Sequence, residues 1–412
     1  MIPKISRYLL IIVATVVLAQ VIPGIYNNLF DVRINTPYVS FGAEKKVFYS
    51  YKYEEGRDAL FVDSKGRKYT KTEYLDATPS INTFYHVKNG TMPDSINGVK
   101  VDVRQLQRES FNQMTFSFEF SKPEYQLYPL MESAPQLELT WPKDFFRIND
   151  RIEFIDAKTN RVNELKSDKY TAAMKKEGFV FPAGLVAGLP TNMKQWDDGW
   201  FLTDKEGSLY HLKMVKGEPY FVKIRKPDNL KIKKIICNSF QSKEFYATLV
   251  SEDNRIYLLR EADYNLMKLP VDDYNPDTQA LQITGNLFYK TVELVAEGFV
   301  KVYAIDRAYN KVDEYYQSWP VKADMPVGKM SAWLFPFSIE MEPSNSQFIH
   351  FRFNGNPSYK WVYLNLLLLG CSFVIIKRQG RRFSRNILDL VVVAATGIFG
   401  FIAVNIFSNK EY

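Results

Sequence analysis

The side chains best suited to chemistry form one short run in the middle of the chain: Trp196, Asp197, Asp198, Gly199 and Trp200. Two carboxylates beside two indoles can hold a sugar or a cation through ring stacking, cation–π attraction and hydrogen bonds. The alternative is a loop between strands whose indoles cover the core. Adjacent aspartates tend to point apart, which disfavours paired acid–base work. The sequence therefore offers Trp196, Asp197, Asp198 and Trp200 as a candidate ligand site only.

Other patterns of catalytic or metal-binding residues do not occur in the sequence. The histidines His86, His211 and His350 stand alone, without cysteine or carboxylate at ligand spacing. The segments beginning at Asp156 and Asp204 resemble calcium loops but lack the bidentate glutamate at the required position. We interpret both as hairpin turns and predict no catalytic residue, no metal and no cofactor.

Asp389 is the single charged residue in an apolar run of 21 residues, 387–407. At about 1.5 Å per residue, such a run is long enough to cross a hydrocarbon core of about 30 Å. A second apolar run, residues 361–376, begins with the interfacial aromatics Trp361 and Tyr363. The two runs predict a transmembrane helical hairpin. Asp389 is then expected near interfacial water or paired with Arg385, one turn earlier.

A basic loop separates these two runs and predicts the orientation of the chain. It contains Lys377, Arg378, Arg381, Arg382 and Arg385. Loops rich in Lys and Arg stay in the cytoplasm, so the large middle of the chain is expected on the other side of the membrane, outside the cytoplasm.

The N-terminal segment is consistent with the same orientation. Lys4 and Arg7 precede an apolar stretch, residues 8–19, which is typical of an uncleaved membrane anchor. Val17, Leu18 and Ala19 also fit a cleavable secretory signal. Either interpretation leaves the bulk of the chain outside the cytoplasm.

The net charge of +7 comes from the parts expected at the membrane. They hold nine of the 53 basic residues and two of the 46 acidic ones, which leaves 44 of each sign in the body. The basic total therefore does not indicate a nucleic-acid partner. Cys237 and Cys371 lie in separate apolar runs, so no disulfide between them is expected.

The body is predicted to be mainly β, because apolar and polar residues alternate in short segments with polar turns between them. Helical patterning is rare in the body, and its clearest candidates are the short segments 71–76 and 170–176. A hairpin pattern recurs with aliphatic–tyrosine pairs at Leu209, Ile256 and Val302, spaced by 47 and 46 residues. This is the length of a four-stranded propeller blade, so we predict a β-propeller-like domain, with a β-sandwich as the alternative.

These patterns divide the chain into five predicted regions. They are an N-terminal anchor or signal (1–29), a β-rich module (30–140), a propeller-like repeat region (141–320), a β-rich linker (321–357) and a transmembrane helical hairpin (358–407).

Three segments carry a resemblance to a known family: residues 61–70 (FVDSKGRKYT), 93–99 (PDSINGV) and 128–133 (YPLMES). Together with the three predicted spans, they resemble an uncharacterised family of membrane-anchored proteins from Gram-negative gut anaerobes. The resemblance implies association with ABC-type transporter genes, as a membrane component or accessory rather than as the ATPase. It implies no site residues.

The expected function is that of a non-enzymatic inner-membrane protein whose β-rich domain serves a transport or envelope complex. Its expected partners are the lipid bilayer and transporter subunits, because three spans are too few for a complete transport pathway. The alternative is an anchored enzyme that acts on glycans or peptides through carboxylates converging in a central cavity. A transmembrane sensor is less favoured, because little of the chain is expected inside the cell.

Overall fold

The computed structural model describes residues 2–30, 34–53, 59–120, 126–133, 138–194, 196–343 and 349–409. They form two compact units, Asn35–Trp319 and the combination of Met1–Ile34 with Pro320–Tyr412. The helices, in chain order, are α1 (Ile2–Leu29), α2 (Lys71–Ala77), α3 (Thr83–Asn89), α4 (Val103–Glu109), α5 (Glu164–Lys176), α6 (Pro326–Leu334), α7 (Trp361–Arg378), α8 (Ile387–Thr396) and α9 (Ile398–Ile406).

The unit Asn35–Trp319 consists mostly of antiparallel sheets, which confirms the prediction of a mainly β body. The first sheet has the order β1-β2-β3-β4 and is followed by a two-stranded ribbon, β5-β6, and by β7. These strands are β1 (Tyr38–Gly42), β2 (Val47–Lys52), β3 (Leu60–Asp63), β4 (Lys68–Tyr69), β5 (Ser95–Ile96), β6 (Val99–Lys100) and β7 (Phe111–Thr115).

Three further sheets follow in chain order, with the orders β10-β9-β8, β11-β12-β13-β14 and β15-β16-β17-β18. Their strands are β8 (Tyr128–Pro129), β9 (Asp144–Ile148), β10 (Ile152–Asp156), β11 (Val186–Gly188), β12 (Trp200–Thr203), β13 (Leu209–Val215), β14 (Glu218–Ile224), β15 (Ile232–Cys237), β16 (Phe245–Ser251), β17 (Ile256–Arg260) and β18 (Leu266–Lys268).

The last sheet of this unit has five strands in the order β22-β21-β20-β19-β7. The later strands are β19 (Ala280–Gly285), β20 (Lys290–Val295), β21 (Phe299–Ile305) and β22 (Lys311–Ser318). Because β7 pairs with β19, the predicted module 30–140 and the predicted repeat region 141–320 share one sheet. The sequence could not show this pairing, since the two strands are far apart in the chain.

Neighbouring sheets bury their apolar faces against each other. One core joins β8–β10 and α5 to β11–β14 around Phe146 and Leu202. A second core joins β11–β14 to β15–β18, and a third joins β15–β18 to the five-stranded sheet around Val250 and Val292. Burying one such side chain stabilises the fold by about 1.5–3 kcal/mol, so no single sheet is expected to be stable without its neighbours.

Several hairpins close with the same aspartate-centred turn. Oδ1 of Asp204 accepts hydrogen bonds from the backbone N of Glu206 and Ser208, at 3.0 and 2.8 Å. The turn is completed by Gly207 at φ +78°, a conformation that favours glycine. Asp63 and Asp306 likewise accept bonds from the backbone N atoms two and four residues ahead, and Asp156 accepts them from those two and three residues ahead. The segments that resembled calcium loops are therefore hairpin turns, as predicted.

The helices expected at residues 71–76 and 170–176 correspond to α2 and to the second half of α5. A reciprocal capping box fixes the start of α2, because Thr70 and Glu73 each bond the backbone N of the other. The helices α3, α4 and α6 were missed. Each has at most nine residues, which is too short to show a helical period.

The second unit contains the apolar helices and a hairpin of β23 (Phe337–Pro343) and β24 (Ile349–Gly355). Among the described residues, two helices are long and apolar enough to cross a membrane, Lys4–Leu29 and Trp361–Arg378. The predicted linker 321–357 belongs to this unit and includes α6, whose Val327 carbonyl accepts a 2.9 Å bond from the Tyr26 hydroxyl of α1.

The predicted span over residues 387–407 is corrected by the structure. Gly397, at φ 59° and ψ −129°, divides it into α8 and α9, which pack against each other as a helical hairpin. A helix of ten residues measures about 15 Å, half of a hydrocarbon core of about 30 Å. The end of α9 therefore returns toward the start of α8, and Nδ2 of Asn409 donates to the Arg385 carbonyl at 3.2 Å.

Candidate functional site

The structure assigns different environments to the four residues proposed from sequence. Asp197 is buried and accepts hydrogen bonds from Lys194 Nζ at 2.5 Å, from Met131 N at 3.1 Å and from Gly199 N at 3.3 Å. The Lys194 and Asp197 side chains are only 4% and 1% exposed. Asp197 therefore joins the loop after β8 to the loop before β12, and its carboxylate is engaged within the fold.

Trp200 is also engaged within the fold. Its side chain lies in the core shared by β8–β10 and β11–β14, and its Nε1 donates to the Pro129 carbonyl at 2.8 Å. The residue is 2% exposed. Of the four candidates, Trp196 and Asp198 retain partial exposure, and Trp196 Nε1 donates to Asp198 Oδ2 at 3.0 Å.

Asp198 lies among basic side chains that the sequence did not place there. Burial raises the pKa of Asp198, and the nearby Lys213 and Lys243 partly oppose that shift. Burial also lowers the pKa of Lys213, whose Nζ is 3.4 Å from the Tyr246 hydroxyl. Lys243 Nζ lies 4.2 Å from the centre of the Trp196 ring. The Trp196 ring of the predicted site therefore already has a cation–π contact, made by a lysine of the protein itself.

His211 is a buried residue that contacts the backbone of Asp198. Its Nδ1 is 2.9 Å from the Tyr264 hydroxyl, its Nε2 contacts the Asp198 carbonyl, and its ring stacks on Phe201 with centres 4.1 Å apart. Burial lowers the pKa of His211 to about 3, so the imidazole is neutral at physiological pH. One sequence signal could have linked His211 to the site. His211 and Lys213 are two positions apart in the sequence, so their side chains share one face of β13.

The basic residues of the predicted cytoplasmic loop connect α7 to α8. Lys377 and Arg378 end α7, and Arg381, Arg382 and Arg385 follow around a short 3-10 turn, Phe383–Arg385. These side chains are exposed, except that Arg381 is half-buried. Asn386 Nδ2 donates to the Arg382 carbonyl at 2.8 Å and so holds the turn that leads into α8.

Asp389 pairs with a residue other than the one expected. Arg7 Nη1 and Nη2 donate to its two carboxylate oxygens at 2.9 and 2.7 Å, in place of the predicted pairing with Arg385 or interfacial water. Arg7 Nε also donates to the Phe407 carbonyl at 2.7 Å. Asp389 is 2% exposed. Sequence spacing could not find this partner, because Arg7 lies on α1, at the other end of the chain.

A cavity missed by the sequence analysis lies in the β-rich unit, between the sheet β1–β4 and one face of the five-stranded sheet. Its volume is about 480 Å³. The aromatic side chains Tyr38, Tyr51, Tyr289 and Trp319 contribute to its lining, with hydroxyl and amide groups between them. The two sheets also meet beside it, where the Phe41 and Tyr289 rings pack edge to face with centres 5.0 Å apart.

Glu293, on β20, contributes the single formally charged side chain among the described residues that line this cavity. It is opposite Gln282 in the sheet and shares a face with Thr291 and Val295. Burial raises the pKa of Glu293 to about 7. Glu293 is half-buried, and no ion pair or side-chain hydrogen bond to its carboxylate occurs among the described residues.

Glu293 was missed because its local pattern is that of a solvent-facing residue. Val292 and Leu294 alternate with it and point into the core on the opposite face of the sheet. The sheet β1–β4 and neighbouring segments face this polar side of the five-stranded sheet across the cavity and leave Glu293 half-buried. The alternative of an anchored hydrolase required two converging carboxylates; the described lining of this cavity provides one.

The fold and these features define a mainly antiparallel β protein in which, over the residues that the structure describes, two apolar helices are long enough to cross a membrane. Residues 42–305 match the family described as a domain of unknown function, DUF4857, and the chain belongs to this family. No curated protein matches the chain.

One solved structure with similarity is PorZ, described as an essential bacterial surface component of the type-IX secretion system of Porphyromonas gingivalis. The sequences are 11% identical, and the TM-score is 0.22 over 77% of this chain and 37% of the PorZ chain. The chain thus spans little more than a third of PorZ, and a TM-score of this size does not establish a common fold.

Proposed function

We propose that this chain is an integral membrane protein of the bacterial inner membrane, with the unit Asn35–Trp319 on the periplasmic side. One observation carries the proposal: the helical unit turns its charged pair inward and its aliphatic side chains outward. Leu9, Ile12 and Leu367 are 59%, 62% and 63% exposed, whereas Asp389 is almost fully buried. Such a distribution is unfavourable in water and is expected of helices in lipid.

The proposed topology has two crossing helices and one re-entrant hairpin. The helix α1 leaves the cytoplasm, α7 returns to it, and α8 and α9 enter and leave the bilayer on the cytoplasmic side. Arg7 supports this arrangement, because it contacts both Asp389 near the start of α8 and the Phe407 carbonyl after α9. The excess of Lys and Arg between α7 and α8 supports the cytoplasmic position of that loop.

Cysteine labelling tests this topology. In a background with Cys237→Ser and Cys371→Ser, the variants Ser384→Cys and Ser408→Cys are treated with a membrane-impermeant maleimide in intact cells and in inverted vesicles. The re-entrant hairpin predicts that both positions react only in inverted vesicles. Labelling of Ser408→Cys from the outside would instead support one continuous span over residues 387–407.

We further propose that the sheets of the β-rich unit are arranged as propeller-like blades. This proposal is supported by the succession of antiparallel sheets, each sharing a core with the next one in the chain. The entry of β7 into the last sheet also brings an early strand together with late ones, as in blades that are closed by strand exchange. An experimental structure with the sheets in two parallel layers would favour the sandwich instead.

The biological role that we propose is that of a non-catalytic accessory or membrane component of an ABC-type transport or envelope complex. Two crossing helices and a re-entrant hairpin are too few to enclose a transport pathway, so partner subunits would supply the pathway and the energy. Purification of the tagged full chain from its native host in mild detergent should recover membrane subunits and an ATPase. Recovery of this polypeptide alone would contradict the accessory role.

A further inference from the structure

The cavity around Glu293 has the electrostatic character of a site for a positively charged ligand. Glu293 is a half-buried carboxylate that has lost part of its hydration without gaining an opposite charge from the described residues, and this favours a cation beside it. Its lining, as far as the structure describes it, contains no Lys or Arg. A cation that enters this cavity would therefore meet a carboxylate and, among the described residues of the lining, no basic side chain.

The basic residues nearest in the same sheet are committed elsewhere. Lys290, also on β20, lies on the opposite face, and its Nζ pairs with Glu244 at 2.8 Å. Lys301, on β21, is likewise on that face and pairs with Asp273 at 2.8 Å. Rotation of a side chain cannot move either amine through the sheet. The sheet register therefore keeps both lysines from pairing with Glu293.

The remaining lining indicates the kind of cation. Tyr38 and Tyr51 stack with ring centres 5.2 Å apart, and Trp319 adds an indole whose Nε1 is occupied by the Glu297 carbonyl at 2.7 Å. Aromatic faces attract organic ammonium groups. A bare metal ion would require more oxygen ligands, and no cluster of three metal-binding side chains occurs among the described residues.

We propose that this cavity binds a small organic ammonium ion, with Glu293 as its counter-ion and the surrounding rings as its walls. A cavity of about 480 Å³ is within the range of small-molecule sites. Thr284 and Thr291, whose hydroxyls are 2.5 Å apart, place polar atoms beside the carboxylate for a hydroxylated ligand. This inference concerns the β-rich unit and is independent of the proposed membrane topology.

Calorimetric titration of the full chain in detergent tests the proposal with paired probes. Choline and putrescine carry the cation, and dimethylbutanol is the neutral carbon isostere of choline. We expect choline or putrescine to bind in a saturable manner, and dimethylbutanol to bind at least about tenfold more weakly than choline. Equal binding of choline and dimethylbutanol, or no saturable binding of either cation, would overturn the proposal.

Two matched variants identify the residue responsible. Glu293→Gln keeps the shape of the side chain and removes its charge, so the affinity for the cationic probes should fall at least about tenfold. Glu297→Gln makes the same change at an exposed position just after β20 and should leave the affinity unchanged. Retention of cation binding in Glu293→Gln would show that another group recognises the cation, and the assignment of Glu293 would fail.

Proton release provides a second measurement. A bound ammonium ion favours the ionised carboxylate, so binding at about pH 6 should release protons, and this release should decrease at about pH 8. The other titratable side chains on this side of the two sheets include Asp313, on β22, which shares a face with Thr291 through Ala304. Glu44 accepts hydrogen bonds from Ser80 at the cavity wall. The tyrosines on these sheets that face the same side are Tyr38, Tyr51, Tyr289 and Tyr315. Cation binding without proton release at the lower pH would contradict the role of Glu293.

Discussion

Arg7 and Asp389, which are 382 positions apart in the chain, form a bidentate ion pair with nitrogen–oxygen distances of 2.9 and 2.7 Å. The planar guanidinium matches the two carboxylate oxygens, a geometry that lysine cannot reproduce. The pair joins α1 to α8, and the bond from Arg7 to the Phe407 carbonyl adds the end of α9.

Removing one partner of this pair should destabilise the helical unit. Arg7→Leu or Asp389→Leu leaves an uncompensated buried charge, at an expected cost of about 3–5 kcal/mol. The double variant should recover most of the loss, since neither charge remains. Thermal unfolding in detergent measures the effect, with Lys4→Leu as the control for loss of an exposed N-terminal charge. A double variant as unstable as the sum of the single variants would argue against direct coupling.

The helix α1 should remain attached to the mature protein. Ala19, the last residue of the potential cleavage site, is fully buried against Tyr26, Phe335 and Phe399. Cleavage after it would remove Arg7 and leave Asp389 without its partner. The intact mass of protein purified from its native host should therefore include residues 1–19. A mass that lacks this segment would show that the segment acts as a signal.

Gly397 should be intolerant of substitution. An added Cβ would lie 2.1 Å from Asn365 Oδ1, and the positive φ disfavours other residues. Asn365 Nδ2 also donates to the Ala394 carbonyl at 3.0 Å, so the same contact satisfies the end of α8. Gly397→Ala should lower the unfolding temperature in detergent. Gly370→Ala on α7 is the matched control, because its Cβ meets no atom within 4 Å.

Substitution of Asp197 should reduce the free energy of unfolding far more than the same substitution of its neighbour Asp198. Asp197→Asn leaves Lys194 buried and unpaired, with an expected loss of about 3–5 kcal/mol in the free energy of unfolding. Asp198→Asn makes the same chemical change at a carboxyl that forms no ion pair among the described residues. Denaturant unfolding of the two variants compares them directly. Equal losses would mean that the Lys194–Asp197 contact does not stabilise the fold.

Glu293 and His211 should give opposite pH dependences of stability. The pKa of Glu293 is raised from 4.5 to about 7, so the folded state retains its proton longer and stability falls as pH rises through this window. The pKa of His211 is lowered from 6.5 to about 3, so stability falls as pH decreases below 6.5. Between about pH 4.5 and 6.5 the two slopes oppose each other.

Single substitutions should separate the two contributions to the pH dependence of stability. Glu293→Gln should show stability that increases with pH in this window, and His211→Gln should show the reverse, each by at most about 1.4 kcal/mol per pH unit. The slope of the unfolding free energy against pH is the measurement, because the absolute stability also reflects lost contacts. Unchanged slopes in both variants would contradict the assigned protonation states.

The mainly β body could be predicted from the sequence because alternation and turn residues are local properties. The aspartate turn at Asp204 and the capping box of Thr70 and Glu73 involve residues within a few positions of each other. The candidate site was predicted less well. Trp196 and Asp198 are partly exposed, but the burial of Asp197 and Trp200 depends on Met131 and Pro129, more than sixty residues earlier.

The sequence by itself determined the apolar helices, the basic loop, the neutral charge of the body and the strand-rich pattern. All of these depend on residue type and short-range spacing. Only the tertiary structure decided that Asp389 pairs with Arg7, that α8 and α9 turn back at Gly397, and that Glu293 lines a cavity in which the described residues supply no opposite charge. These three outcomes arise from packing between distant segments, where burial changes the energetic cost of a charge or a backbone conformation.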